Sequence, residues 1–384
     1  MEQDNFTRDK IRGCLMAGAA GDALGYEVEF MSRRSILSRF GENGITKFAL
    51  DRNGKALISD DTQMTLFTAN GLLNAPGLAV EPKCAIVRAY IDWYHTQTRK
   101  DNKMKSCWIS AIGGLHSSRA PGRTCLSALY AISRGNDPCN DSKGCGGIMR
   151  VAPIPLYAVS HDGFDDVAVA ILAADAAECT HQHPLGFLPA SLFALFLYKI
   201  LAMSAKLVSE EVDSIVAEAL DTIDLIYNGK YVQDRNCLRG LTEKALRLAR
   251  SEKSDADAIL ELGEGWVAEE TWAIALYCAV RHIDCVEDAI IASVNHNGDS
   301  DSTGSVCGNI MGAIYGYEHI KERDIFCPEG YGLEGTLELA QIILALADDL
   351  VTGCPVGEDG QIDTPEKQQW HERYYKMLPS GIVL

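Results

Sequence analysis

Glycine recurs at every fourth position in "NHNGDSDSTGSVCGNIMGAIYG" (residues 295–316), giving Gly304, Gly308, Gly312 and Gly316. Residues four apart share one face of a helix, and a glycine in a helix interior costs about 1 kcal/mol relative to alanine. Four of them weaken the helix by about 3–4 kcal/mol. That loss is offset only where another backbone comes too close to leave room for a side chain. The segment therefore predicts a helix packed against a second small-residue helix. "GCLMAGAAGDALG" (13–25) supplies one, with Gly13, Ala17, Gly21 and Gly25 at the same spacing. Such stripes also pair helices in membranes, but Asn309 and the acidic opening of the segment argue against a span.

The rest of the chain points to helices too. Apolar residues recur at three- and four-residue spacings over 164–178, 187–204, 208–227, 238–250 and 335–349, the pattern of helices with one buried face. Alternating β-branched runs are nearly absent, and "ITKFAL" (45–50) suits at most a small hairpin. No low-complexity linker, repeat or composition break divides the 384 residues. One all-α domain over 1–384 is expected, with long functional loops between helices. The apolar stretch 186–205 contains Pro189 and Lys199 and reads as a buried core helix, not a membrane span. The net charge of −18 disfavours a nucleic-acid partner, which needs clustered Lys and Arg. An acidic chain still binds anions where metal ions supply positive charge. Thirteen scattered cysteines with no CxxC pair, and no secretory signal in "MEQDNFTRDK", read as free thiols in a reducing cytoplasm.

Two acidic helix starts stand out. In "SDDTQMTLF", Ser59 is a candidate N-cap, with Asp60 and Asp61 in the first turn, where acids complement the helix dipole. A capped acidic start needs no function. The second segment, "GDSDS", adds Asp299, Asp301 and the hydroxyl of Ser302. Packing of the two glycine-striped helices would bring Asp299 and Asp301 near Asp22 and Glu29. Carboxylates crowded in this way repel one another unless cations bridge them. Oxygen ligands alone suit Mg²⁺, Mn²⁺ or Ca²⁺ and argue against zinc.

Three further segments are less specific. The glycines of "DSKGCGGIMR" (141–150) would free backbone N–H groups for an anion, or form a plain loop. "THQHP" (180–184) is expected to end a helix at Pro184, a solvated helix end being the simpler reading of its imidazoles. "LGEGWVAEE" (262–270) places Trp266 in a Gly-rich turn, where it stacks on an adenine or ribose or fills a core gap.

Taken in order, "GCLMAGAAGDALGYEVEF", "SDDTQMT", "KGCGGIMR", "THQHP", "GEGWVAEE" and "GDSDSTGSVCGNIMGAIYG" resemble the ADP-ribosylglycohydrolase family. That family includes the ADP-ribosylarginine hydrolases and the dinitrogenase reductase-activating glycohydrolases. The resemblance runs from about residue 9 to about 350, leaving the tail from about 355 outside it. It implies two Mg²⁺ (or Mn²⁺) ions at the base of an ADP-ribose cleft, held by Ser59, Asp60, Asp61, Asp299, Asp301 and Ser302. Glu29 matches the acid on the family's mobile loop, and Asp60 or Asp61 would position or deprotonate the attacking water. Ser142, Lys143, Cys145, Gly146 and Gly147 match a phosphate-binding loop, and His181, Gly265 and Trp266 match positions at the cleft. Many members carry Asn where this chain has Cys145, and "KGCG" is more similar to the arginine-specific hydrolases than to the serine-specific ones. The implied partners are ADP-ribose and an ADP-ribosylated protein.

Overall fold

The glycine stripe becomes the helix Ser300–Tyr315, lying antiparallel along the first helix, Glu2–Tyr26. This is seen in a computed structural model that describes residues 2–98, 106–355 and 361–374. Gly13 faces Gly312 and Gly316, Ala17 faces Gly308, Gly21 faces Gly304, and Gly25 faces Ser300. A Cβ on Gly21 would stand 2.0 Å from the Gly304 carbonyl oxygen, and one on Gly312 would stand 2.1 Å from that of Gly13. Backbone thus touches backbone along three turns, as the spacing requires. Asn309 donates to the Cys14 carbonyl at 2.8 Å, a polar bond across the seam that fixes its register. The fourth glycine departs from expectation. Gly316 caps the helix at φ +79°, a conformation open to glycine, and lies outside the helix interior.

Because the two helices are antiparallel, the C-terminal end of the first lies beside the N-terminal end of the second. The helix Asp60–Leu78 is buried along most of its length and starts at this same end. The helix Pro184–Ala202 is long and apolar enough to cross a membrane, but 83% of its apolar window is buried inside the fold, so it serves as the expected core helix. Further helices pack around these central elements. Asp166–Glu178, Ser209–Ile226, Val232–Ala249 and Ala340–Thr352 answer to four of the five periodic stretches.

Three boundaries differ from expectation. Pro184 begins a helix instead of ending one. His183 is its N-cap, accepting from Leu185 N at 3.0 Å, and proline at the first helical position loses no internal bond. The stretch 335–349 is broken into Leu333–Thr336 and Ala340–Thr352, with Leu339 at φ +58° between them. The break lets Thr336 O accept from Ala56 N and Glu338 N donate to Ala56 O. "ITKFAL" forms no strand among the described residues, only an isolated antiparallel bridge from Leu50 to Ala56 around a turn.

All thirteen cysteines are unpaired, and Cys14, Cys278 and Cys307 are buried as expected. In the tail, the helix Pro365–Tyr374 folds back onto the body. Its Arg373 and Tyr374 both bond Asp349, and Tyr374 meets Trp108 edge-on. That part of the aromatic cluster packs within the chain, while residues 375–384 lie outside the described ones.

Candidate metal centre

Three chain segments meet where the helix ends converge. From the first helix, Asp22 accepts from Ser59 N at 3.0 and 3.1 Å, from Thr62 N at 3.0 Å and from the Thr62 hydroxyl. It thereby ties down the start of the Asp60–Leu78 helix. Ser59 caps that helix through Oγ, which accepts from Asp61 N at 3.1 Å. Asp60 is held from outside: its N–H donates to Arg119 O at 3.1 Å, and its Oδ2 accepts from Gly122 N at 3.3 Å. On the third segment, Ser302 N donates to Asp301 Oδ1 at 3.0 Å and Asp299 Oδ1 at 3.3 Å. Glu29, Asp299 and Asp301 each bring a carboxylate oxygen within 4.8 Å of the others.

Six carboxyls are therefore gathered out of water: Asp22, Glu29, Asp60, Asp61, Asp299 and Asp301 are all buried. Burial raises the pKa of every one, and repulsion from Asp301 is the next cause for the other five. Glu29 is pushed up to about 10, by burial and then by Asp301 and Asp299. Two helix N-termini, at Ser59 and Asp299, point positive dipole ends at the cluster, but these cannot neutralise six charges.

The cluster fits hard cations. Glu29 Oε2 and Asp61 Oδ2 are buried with no hydrogen-bond partner among the described residues, which is costly for a carboxylate oxygen unless a cation takes it up. The donors are carboxylate and hydroxyl oxygens, as Mg²⁺ or Mn²⁺ require. Cys145 lies beside Asp299 and Ser302, and burial and then Asp299 raise its thiol well above the usual range.

The Gly-rich loop borders this centre. Cys145–Gly147 form one turn of 3₁₀ helix whose first N–H groups have no acceptor within the turn. Cys145 N donates to Trp266 O and Ala268 N to Lys143 O, so the loops carrying Lys143 and Gly265 are bonded together. Gly265, at φ +81°, lies where a Cβ would strike Thr303. Ser142 Oγ accepts from Gly144 N at 3.4 Å. The Lys143 ammonium pairs with Glu269. His181 is 2% exposed, packed beneath the loop against Gly144 and Gly146, so its imidazole is not at the solvated helix end expected from the sequence.

Trp266 is 38% exposed and stacks on Phe30, 74% exposed, with ring centroids 6.0 Å apart and planes at 21°. The core-filling alternative therefore falls, and the pair forms an aromatic platform at the rim. Phe30 had no signal in the sequence beyond its place next to Glu29. Arg119 was also missed. It forms a two-pronged ion pair with Glu338 and donates to Ile58 O, bracing the approach to Ser59.

Residues 3–359 match the model of the ADP-ribosylglycohydrolase family. The chain belongs to this family. Among relatives of this chain, ADP-ribosylhydrolase ARH3 of Mus musculus is 27% identical, with 86% of this chain and 90% of that protein covered. The ADP-ribosyl-dinitrogen reductase glycohydrolase of Rhodospirillum rubrum is 24% identical, covering 81% and 87%. ADP-ribosylhydrolase ARH1 of Dictyostelium discoideum is 24% identical, covering 83% and 89%. A solved structure described as an ADP-ribosylglycohydrolase-related protein complex superposes with a TM-score of 0.56 at 21% identity, over 91% of this chain and 99% of that one. That likeness establishes the shared all-α fold.

Proposed function

We propose that this protein hydrolyses the N-glycosidic bond joining ADP-ribose to arginine side chains of modified proteins. The observation that carries the reading is the buried six-carboxyl cluster with unpartnered oxygens on Glu29 and Asp61, in a chain of this family. Ser59, Asp60, Asp61, Asp299, Asp301 and Ser302 would hold two Mg²⁺ (or Mn²⁺) ions. When bound, such ions supply the positive charge that orients ribose hydroxyls and makes a water more acidic.

The chain's own groups supply the rest. A carboxylate at Asp60 or Asp61 takes the proton of the attacking water, whose oxygen bonds to the anomeric carbon as the bond to the guanidinium nitrogen breaks. The remaining carboxylates lower the energy of the oxocarbenium-like sugar, the work two carboxylates do in ordinary glycosidases. Glu29, one of the clustered carboxyls and next in sequence to Phe30 of the Phe30–Trp266 platform, would face the leaving group. The loop 142–147 receives the diphosphate and the platform the adenosine.

The decisive assay incubates the protein with arginine- and serine-ADP-ribosylated substrates, with Mg²⁺ and with EDTA, and measures released ADP-ribose. Mg²⁺-dependent release from arginine conjugates alone is expected. Release from serine alone keeps the centre and overturns the linkage. Release from neither, with metal bound, makes the protein an ADP-ribose-binding member without catalysis.

A further inference from the structure

Beneath the glycine loop lies a guanidinium with no carboxylate to balance it among the described residues. Arg150 is fully buried. Its Nη2 donates to Ala176 O at 2.8 Å and to Thr180 Oγ1 at 2.6 Å, and its face covers the Tyr90 ring at 4.3 Å. Its other hydrogen-bond neighbours are sulfurs, and Nε has no partner among the described residues. A buried charge without a counter-ion is expensive, so its place here calls for a role beyond packing.

Thr180 connects this cation to His181. A threonine hydroxyl has one proton to give. Having accepted from Arg150, Thr180 Oγ1 has two candidate acceptors, His181 Nδ1 at 2.8 Å and Ala177 O at 3.3 Å. The first lies at an ordinary hydroxyl distance and the second beyond it, and a hydroxyl polarised by a cation is the better donor. The proton therefore goes to Nδ1, which must be unprotonated. The His181 ring is neutral, because burial and then Arg150 push its pKa down to about 3. A neutral imidazole carries one N–H, and it is left on Nε2.

Nε2 lies 3.4 and 3.2 Å from where Cβ atoms on Gly144 and Gly146 would stand, and bonds no described residue. We propose that Arg150, acting through Thr180, holds His181 as its Nε2–H tautomer, which donates a hydrogen bond to an anionic phosphate group seated on the 144–147 loop. Arg150 and Thr180 are positioning residues, and the uncompensated guanidinium adds attraction for the anion from below. The ligand's identity as a diphosphate rests on the ADP-ribose reading; the tautomer does not.

Nitrogen-15 NMR of the histidine rings in the full-length, Mg²⁺-loaded protein reads the tautomer directly. The expected result is Nε2–H at His181, with that proton shifting on addition of ADP-ribose or pyrophosphate. An Nδ1–H tautomer, or a proton unmoved by either anion, overturns the proposal. Thr180→Val should let the tautomers mix and weaken ADP-ribose binding by about tenfold or more, the size of one hydrogen bond to a charged acceptor. Thr180→Ser should restore both, and adenosine, which lacks phosphate, should bind all three proteins alike. Unchanged tautomer and affinity in Thr180→Val would also sink it. Should pyrophosphate shift the His181 proton while no conjugate releases ADP-ribose, the hydrolase reading fails and the relay stands.

Discussion

Two alanine substitutions on the same helix face separate what the glycine seam does for stability from what it does for the site. An alanine Cβ at position 312 would lie 2.1 Å from Gly13 O, and one at 304 would lie 2.5 Å from Gly21 O and 2.7 Å from Val294 Cγ1. Contacts of this kind need about 3.5 Å, so the helices must part by about 1 Å at either point. A gap of that size forfeits a quarter to a half of the dispersion energy of the facing atoms, and overpacking typically costs about 1–3 kcal/mol. Better helix propensity returns about 1 kcal/mol. Because backbone cannot swing aside as a side chain can, Gly304→Ala and Gly312→Ala should each lose about 2 kcal/mol net in urea unfolding. Their effects on the metal centre should differ. Gly304 is within one turn of Asp301, whereas Gly312 is eight residues further along, about 12 Å away. Calorimetric titration with Mn²⁺ should show affinity falling about tenfold for Gly304→Ala, a change of about 1.4 kcal/mol, with Gly312→Ala within twofold of wild type. A Gly312→Ala protein as stable as wild type would refute the close-backbone argument. Equal affinity losses in the two would refute its local reach.

Asp301 is the leading charged neighbour of the other five carboxyls, so Asp301→Asn should raise the melting temperature of EDTA-treated protein. The same variant, and Asp60→Asn, should abolish Mg²⁺-dependent activity with circular dichroism unchanged; full activity in both would refute the centre. A raised carboxyl pKa favours the protonated folded state, so its contribution is present at low pH and lost as pH rises toward the folded value. Metal-free protein should accordingly lose stability between about pH 6.5, above which histidines contribute little, and about pH 8, where Lys10 begins to titrate. Glu29→Gln should flatten that slope, and a wild-type melting temperature constant across the window would contradict it. Arg119 and Glu338 are only 14% and 15% exposed, so Arg119→Met should cost about 2–3 kcal/mol in urea unfolding, somewhat less than a fully buried pair. A loss below about 0.5 kcal/mol, the size of a surface pair, would show that the brace is not needed. Trp266→Ala should raise KM for an ADP-ribosylated substrate by about tenfold, as expected for one lost base-stacking contact, and leave kcat nearly unchanged; a fall in kcat alone would place Trp266 elsewhere in the reaction.

The elements legible in advance were those whose signal is local and repeated. Helical periodicity gave Ser209–Ile226 to within a residue at either end, but the polar start of Val232–Ala249 carries no apolar rhythm and was missed. The break at Leu339 was invisible because its cause, Ala56, lies far away in the chain. Pro184 misled because proline marks both ends of helices, and only the N-cap bond from Leu185 N to His183 Nδ1 shows which end this is.

The site divides along the same line. Glycines four apart on two segments, each next to acids, pointed to the pairing of the first helix with Ser300–Tyr315 and to Glu29 near Asp299 and Asp301, and the Asn309–Cys14 bond selects the register among alignments four residues apart. Which groups surround those acids is a matter of tertiary structure. Asp22 closes on Ser59 and Thr62, Arg119 is braced by Glu338, Phe30 meets Trp266, and Arg150 reaches His181 through Thr180. None of these partners stands at a helical or turn spacing from the other, apart from the neighbours Thr180 and His181. A periodic pattern records which face a residue occupies; what that face meets, and with which atom, is decided only when distant segments pack.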